Sequence, residues 1–97
     1  MEIRYTDKRD FTEKQAEDLF LSVDWASGKH PEQLYKALMT CETVFTAWDG
    51  KRLIGLANAI DDGGMTAYVH FLLVHPDYQG SGIGRELTEM MKRRYKD

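Results

Sequence analysis

The chain has 97 residues, 42% hydrophobic and 30% charged, with a formal charge of −3 and a single cysteine, Cys41. Size and composition predict one globular domain with a thin stability margin. No apolar run approaches the length of a membrane span, no basic segment leads into an apolar one at the start, and one cysteine leaves no internal disulfide, so a cytoplasmic location is expected, with neither membrane nor nucleic acid as partner.

Residues 2–6 (Glu-Ile-Arg-Tyr-Thr) alternate and predict a short first strand. Thr12 followed by Gln15 forms a capping-box pattern, and Ala16, Leu19, Phe20 and Val23 recur at helical spacing behind it. A helix is expected over about 12–23. Gly28 breaks the chain. Pro31 suits the first turn of a second helix, whose face would carry Leu34, Leu38 and Cys41. Residues 43–49 are rich in β-branched and aromatic side chains, and Asp49-Gly50 signals a hairpin into a return strand over 52–60. Asp61-Asp62-Gly63-Gly64 predicts a second turn before a strand over 66–75. Its Phe71-Leu72-Leu73-Val74 run predicts burial on both faces. Ile83, Leu87, Met90 and Met91 then mark a third helix. The order is β-α-α-β-β-β-α. This is an α+β domain over residues 1–97, with a mainly antiparallel sheet of about four strands.

Between the last strand and the last helix runs Gln79-Gly80-Ser81-Gly82-Ile83-Gly84. A helix N-terminus offers N–H groups outside the helical ladder and a partial positive charge. Glycines let that backbone close round a bulky anion, for which a diphosphate is the natural ligand. A Val at Gly82 is expected to fill such a cradle. The loop lacks the Gly-Lys-Ser/Thr of a P-loop, and its third glycine comes one residue early for a dinucleotide fingerprint.

The stretch from Val74 to Leu87 resembles motif A of the GNAT superfamily of acyl-CoA N-acyltransferases. Its signature is Gln or Arg, two residues, Gly, one residue, Gly or Ala; Gln79, Gly82 and Gly84 match it. Val74-His75-Pro76-Asp77-Tyr78 and the element order are similar as well. The resemblance implies that main-chain amides of Gln79, Gly80, Ser81, Gly82, Ile83 and Gly84 hold the pyrophosphate of acetyl-CoA, the co-substrate. It implies that Leu72, Leu73 and Val74 pair with the pantetheine arm as an added strand. It implies that a bulge in that part of the strand splays it from a neighbouring strand, that a backbone N–H there polarises the thioester carbonyl, and that a primary amine attacks directly. Family members usually continue past the third helix into a half that supplies a tyrosine acid. The chain is therefore expected to represent the N-terminal half of the fold, and its last strand to be covered by a homodimer partner or otherwise in trans. A non-catalytic acyl-CoA-binding or assembly module is the alternative.

Further candidates follow from residue chemistry. His70 and Tyr68 share a strand face by alternation, and an imidazole can accept a proton from an ammonium, directly or through water, so these are the candidate catalytic residues. Asp24 and Trp25, between the first two helices, could hold a cationic amine. Three scattered histidines and one cysteine show no metal-ligand spacing. Lys92-Arg93-Arg94 suits the negative end of the third helix.

Overall fold

The structure, a computed structural model, describes residues 2–61 and 67–95, without the side chains of Ala26, Ser27, Asp61, Ala67 and Tyr68. Among the described residues, nine elements follow one another: β1 (Arg4–Thr6), α1 (Glu13–Ser22), a 3-10 turn (Ala26–Lys29), α2 (Pro31–Thr40), β2 (Thr43–Asp49), β3 (Arg52–Asp61), β4 (Ala67–Val74), a second 3-10 turn (Pro76–Tyr78) and α3 (Ile83–Arg94). The helix and strand order is the expected one. Of the expected second turn, residues 62–64 lie outside the described residues.

The four strands form one sheet in the order β1-β2-β3-β4, antiparallel throughout. Period-two alternation gives the sheet two apolar faces. On one, α1 and α2 bury Leu19, Phe20, Leu34 and Leu38 against Val44, Trp48, Leu56 and Leu73. On the other, Ile83, Leu87 and Met91 of α3 pack on Phe45, Ala47, Ile54 and Ala57. Gly55 permits the close approach of α3: a Cβ there would stand 3.2 Å from both Ile83 Cγ2 and Leu87 Cδ1.

Local signals explain the helix ends. Thr12 accepts from the Gln15 N–H at 3.1 Å, and Gln15 Oε1 accepts from the Thr12 N–H at 2.8 Å, closing the capping box. α1 ends with Asp24 in left-handed conformation (φ 60°). Asp24 N–H donates to Leu21 C=O and Trp25 N–H to Phe20 C=O, a Schellman arrangement whose apolar contact is the Phe20–Trp25 ring pair. Arg9 closes α2 from a distance, its guanidinium donating to the carbonyls of Leu38, Met39 and Glu42.

Two expectations are corrected. Cys41 is the extended C-cap of α2 rather than a member of its helical face. β4 is not buried on both faces: it is an edge strand among the described residues, with Leu73 buried but Leu72 41% and Val69 46% exposed.

Candidate functional site

The loop enters α3 in the geometry its glycines require. Gly80 and Gly82 both adopt φ +87°, a left-handed backbone that L side chains avoid. Gly82 is the N-cap of α3 and has no side chain to cap with. The first bond of the helix runs from Glu86 N–H to Gly82 C=O at 3.0 Å, so the N–H groups of Ile83, Gly84 and Arg85 lie outside the ladder. Beyond its chain neighbours, a Cβ built on Gly80 or Gly82 would meet no atom of the described residues within 4 Å: the space in front of the loop is open. A bulky anion fits this cradle.

That space is part of a cleft of about 500 Å³. Gln79, Gly80, Gly82, Ile83, Gly84 and Arg85 line its loop side, and Leu72, Leu73 and Val74 its strand side. Val23, Trp25 and Tyr78 complete the wall. The pyrophosphate and pantetheine residues implied by the resemblance are thus brought together, apart from Ser81, whose hydroxyl donates to the Tyr78 carbonyl. The Gln79 side chain is engaged within the protein, Nε2 donating to the Val74 carbonyl at 3.0 Å. This bond ties the loop to the end of β4.

Main-chain direction separates the three strand residues. His75 N–H donates to Ile54 C=O at 2.8 Å, toward β3. Counting back by two, the main chain of Leu73, paired with Leu56, also faces β3. The polar groups of Leu72 and Val74 face the open edge, and the Val74 carbonyl is already taken by Gln79. Leu72 is therefore the residue that offers both N–H and C=O to an added strand. The Leu73 side chain supports the cleft from the core.

The bulge lies earlier in β4 than within Leu72–Val74. Asn58 pairs with Phe71, but Ala59 pairs with Val69, so His70 is the inserted residue. The exposed His70 ring stacks on that of its neighbour Phe71, with centroids 4.2 Å apart and planes 19° apart. The Tyr68 side chain lies outside the described residues. Trp25 lines the cleft and contacts Phe20 and Phe71, whereas Asp24 is exposed at the end of α1 and does not line it.

Arg85 and Tyr78 are cleft residues that the sequence reading left without a role. A cation in the first turn of a helix opposes the dipole, and Arg85 could have been singled out on that ground. Tyr78 donates its hydroxyl to Asp49, and Arg52 lies 5.7 Å over its ring. The bond to Asp49 raises the Tyr78 phenol above its usual value, with burial and the carboxylate charge adding to the effect. Around this pair, Arg52 approaches His75 Nε2 at 3.0 Å, and His75 Nδ1 accepts from the Asp77 N–H. The 3-10 turn ahead of the loop is thereby fastened to the β2–β3 hairpin.

The profile of the acetyltransferase (GNAT) family matches residues 4–97. The chain belongs to this family. Among GNAT relatives, an uncharacterized ycf52-like N-acetyltransferase from Prochlorococcus marinus is 36% identical over 87 residues, 86% of this chain and 48% of its own length. The chloroplastic GCN5-related N-acetyltransferase 2 of Arabidopsis thaliana is 44% identical over 43 residues, 44% of this chain and 17% of that protein. The chain thus spans less than half the length of these relatives. A GNAT family acetyltransferase from Streptococcus pneumoniae superposes with a TM-score of 0.83 at 27% identity, covering 98% of this chain and 69% of the other. An aminoglycoside 6′-N-acetyltransferase solved with coenzyme A shares the fold, with a TM-score of 0.74 at 22% identity over 97% of this chain and 54% of the other.

Proposed function

We propose that this GNAT domain transfers an acetyl group from acetyl-CoA to a primary amine. One observation carries the reading. The N-terminus of α3, opened by two left-handed glycines, and the outward main chain of Leu72 border the same cleft. A diphosphate joined to an extended amide-bearing arm matches that pairing: the loop amides and Arg85 take the phosphates, and Leu72 takes an arm amide. The amine nitrogen then attacks the thioester carbonyl carbon. The C–N bond forms, the C–S bond breaks, and the thiolate leaves with a proton. The acidic balance of the chain favours the approach of a cationic amine. His70 is the candidate to relay the amine proton, and Trp25 to border the acceptor. The lone cysteine fits a cytoplasmic setting.

Calorimetric titration with acetyl-CoA tests the reading, followed by assay against a panel of amines. Saturable binding near one per chain, with thiol release on an amine, is expected; no heat of binding would sink it. Binding without turnover would favour a non-catalytic acyl-CoA module. One observation supports that second reading: Tyr78, the tyrosine that lines the cleft among the described residues, has its hydroxyl committed to Asp49.

A further inference from the structure

Asn58 stands in β3 between Ala57 and Ala59, only 2% exposed. Asparagine is a poor strand residue, and an amide buried without partners is costly. A strand that accepts both has a local reason, and the register supplies it. From Gly55 to Asn58, β3 and β4 keep one spacing, which ends with Asn58 opposite Phe71; the next pair is Ala59 with Val69. The two-residue period that aims the Leu73 main chain at β3 aims the Phe71 N–H there too. At that point Asn58 Oδ1 accepts the Phe71 N–H at 2.9 Å. The other end of the amide is anchored as well, Nδ2 donating to Cys41 Sγ at 3.6 Å at the C-cap of α2. Phe71 in turn meets Phe20 edge-on at 4.9 Å and lies 5.7 Å from Trp25, which lines the cleft.

We propose that Asn58 is a positioning residue: its amide pins the Phe71 N–H, keeps His70 as the inserted residue of the bulge, and so sets the course of β4 where it enters the cleft. Without that acceptor, a one-residue slip pairs Ala59 with His70 and turns Val69 to the opposite face. The consequence for chemistry rests on the function proposed above: the bulge fixes which part of β4 the acetyl group meets.

The test is nuclear magnetic resonance on labelled protein, with Asn58→Leu removing the acceptor and Asn58→Asp retaining an oxygen. In wild type, a scalar coupling across the hydrogen bond links Phe71 15N to Asn58 13Cγ; its absence overturns the proposal. In Asn58→Leu the cross-strand contact of Ala59 moves from Val69 to His70, while Asn58→Asp keeps Val69. A Leu variant that keeps the Val69 register overturns the proposal. If that variant does not fold, the wild-type coupling and the register of Asn58→Asp decide, a shifted register in the latter overturning it. Amides whose shifts differ between the CoA and acetyl-CoA complexes map the acetyl group. They are expected at residues 70–72 in wild type and are lost in Asn58→Leu. If residues 80–85 of the wild type do not respond to CoA, the acyltransferase reading fails, and the coupling and register still judge Asn58.

Discussion

Gly80, Gly82 and Gly84 alternate in sequence but carry different constraints. At Gly82, φ +87° and the open space before a would-be Cβ coincide. An alanine there strains the backbone by about 1–2 kcal/mol and puts a methyl into the cradle. A valine, stiffer still, would add backbone strain to any effect on ligand. Gly84 lies inside α3, and its Cβ would rest 3.7 Å from Val74 Cγ2, an ordinary contact directed at the sheet. This gives a physical reason for a signature that admits Gly or Ala at that place. We expect Gly84→Ala to gain ~0.5–1 kcal/mol of stability with CoA affinity nearly unchanged. Gly82→Ala loses both stability and, by an order of magnitude or more, affinity. Urea unfolding and calorimetry on the two variants check this; equal losses of affinity in both would refute the assignment of the cradle. A second residue-scale prediction concerns Tyr78. Its raised phenol keeps the proton longer in the folded than in the unfolded chain. The resulting stabilisation is complete below pH 10, the unfolded value, and disappears as pH climbs through the higher folded value. The stability difference between wild type and Tyr78→Phe should therefore hold level from pH 7 to 9 and shrink above 10. Tyr5, also raised, is common to both proteins and cancels. A difference that grows with pH would contradict the Tyr78–Asp49 bond.

At the scale of elements, the position of α3 decides where the loop sits, and Gly55 decides how closely α3 lies on the sheet. A methyl at Gly55 would press on Ile83, Leu87 and, at 3.3 Å, Ala47 Cβ. Gly55→Ala should cost ~1–3 kcal/mol by overpacking and, by pushing the first turn of α3 outward, weaken CoA binding as well. Denaturant unfolding with a parallel titration measures both, and an unchanged midpoint would show that the helix shifts freely. The elements themselves were largely legible: Thr12 and Gln15 announced α1, a β-branched and aromatic run announced β2, and Asp49-Gly50 announced the turn into β3 as its return strand. The glycine loop was legible because its spacing is itself the geometry. What escaped was set by distant partners. Phe11 lies in a connecting segment yet is 2% exposed, and Arg9 closes a helix some thirty residues on. Neither pattern is local. The Phe71–Val74 run read as doubly buried because apolarity does not distinguish a central strand from an edge strand that borders a cleft. The bulge was displaced for a similar reason: it depends on Asn58 of the neighbouring strand, which periodicity within β4 does not register.

Taken whole, the molecule is compact, with a radius of gyration of 12.8 Å, near the ~12.5 Å expected for a folded chain of this length. One part of its surface departs from that economy. Along β4, Leu72 and Val69 are exposed, and the main chain of Leu72 faces outward with its hydrogen-bonding groups directed at the edge. Such an edge is a template for strand pairing. Two copies meeting there in antiparallel fashion would join their sheets and bury the four leucine and valine side chains together. The extended arm of acetyl-CoA, under the function proposed above, requires the same Leu72 groups. The two occupants must therefore compete, and by linkage whichever binds first weakens the other. Sedimentation velocity should show self-association that grows with protein concentration and recedes when acetyl-CoA is added in excess. Leu72→Lys, which places a charge on the apolar edge, should hold the chain monomeric. A single monomer boundary at every concentration would remove the edge as a pairing site. Association that acetyl-CoA leaves untouched would place the contact on another face of the sheet.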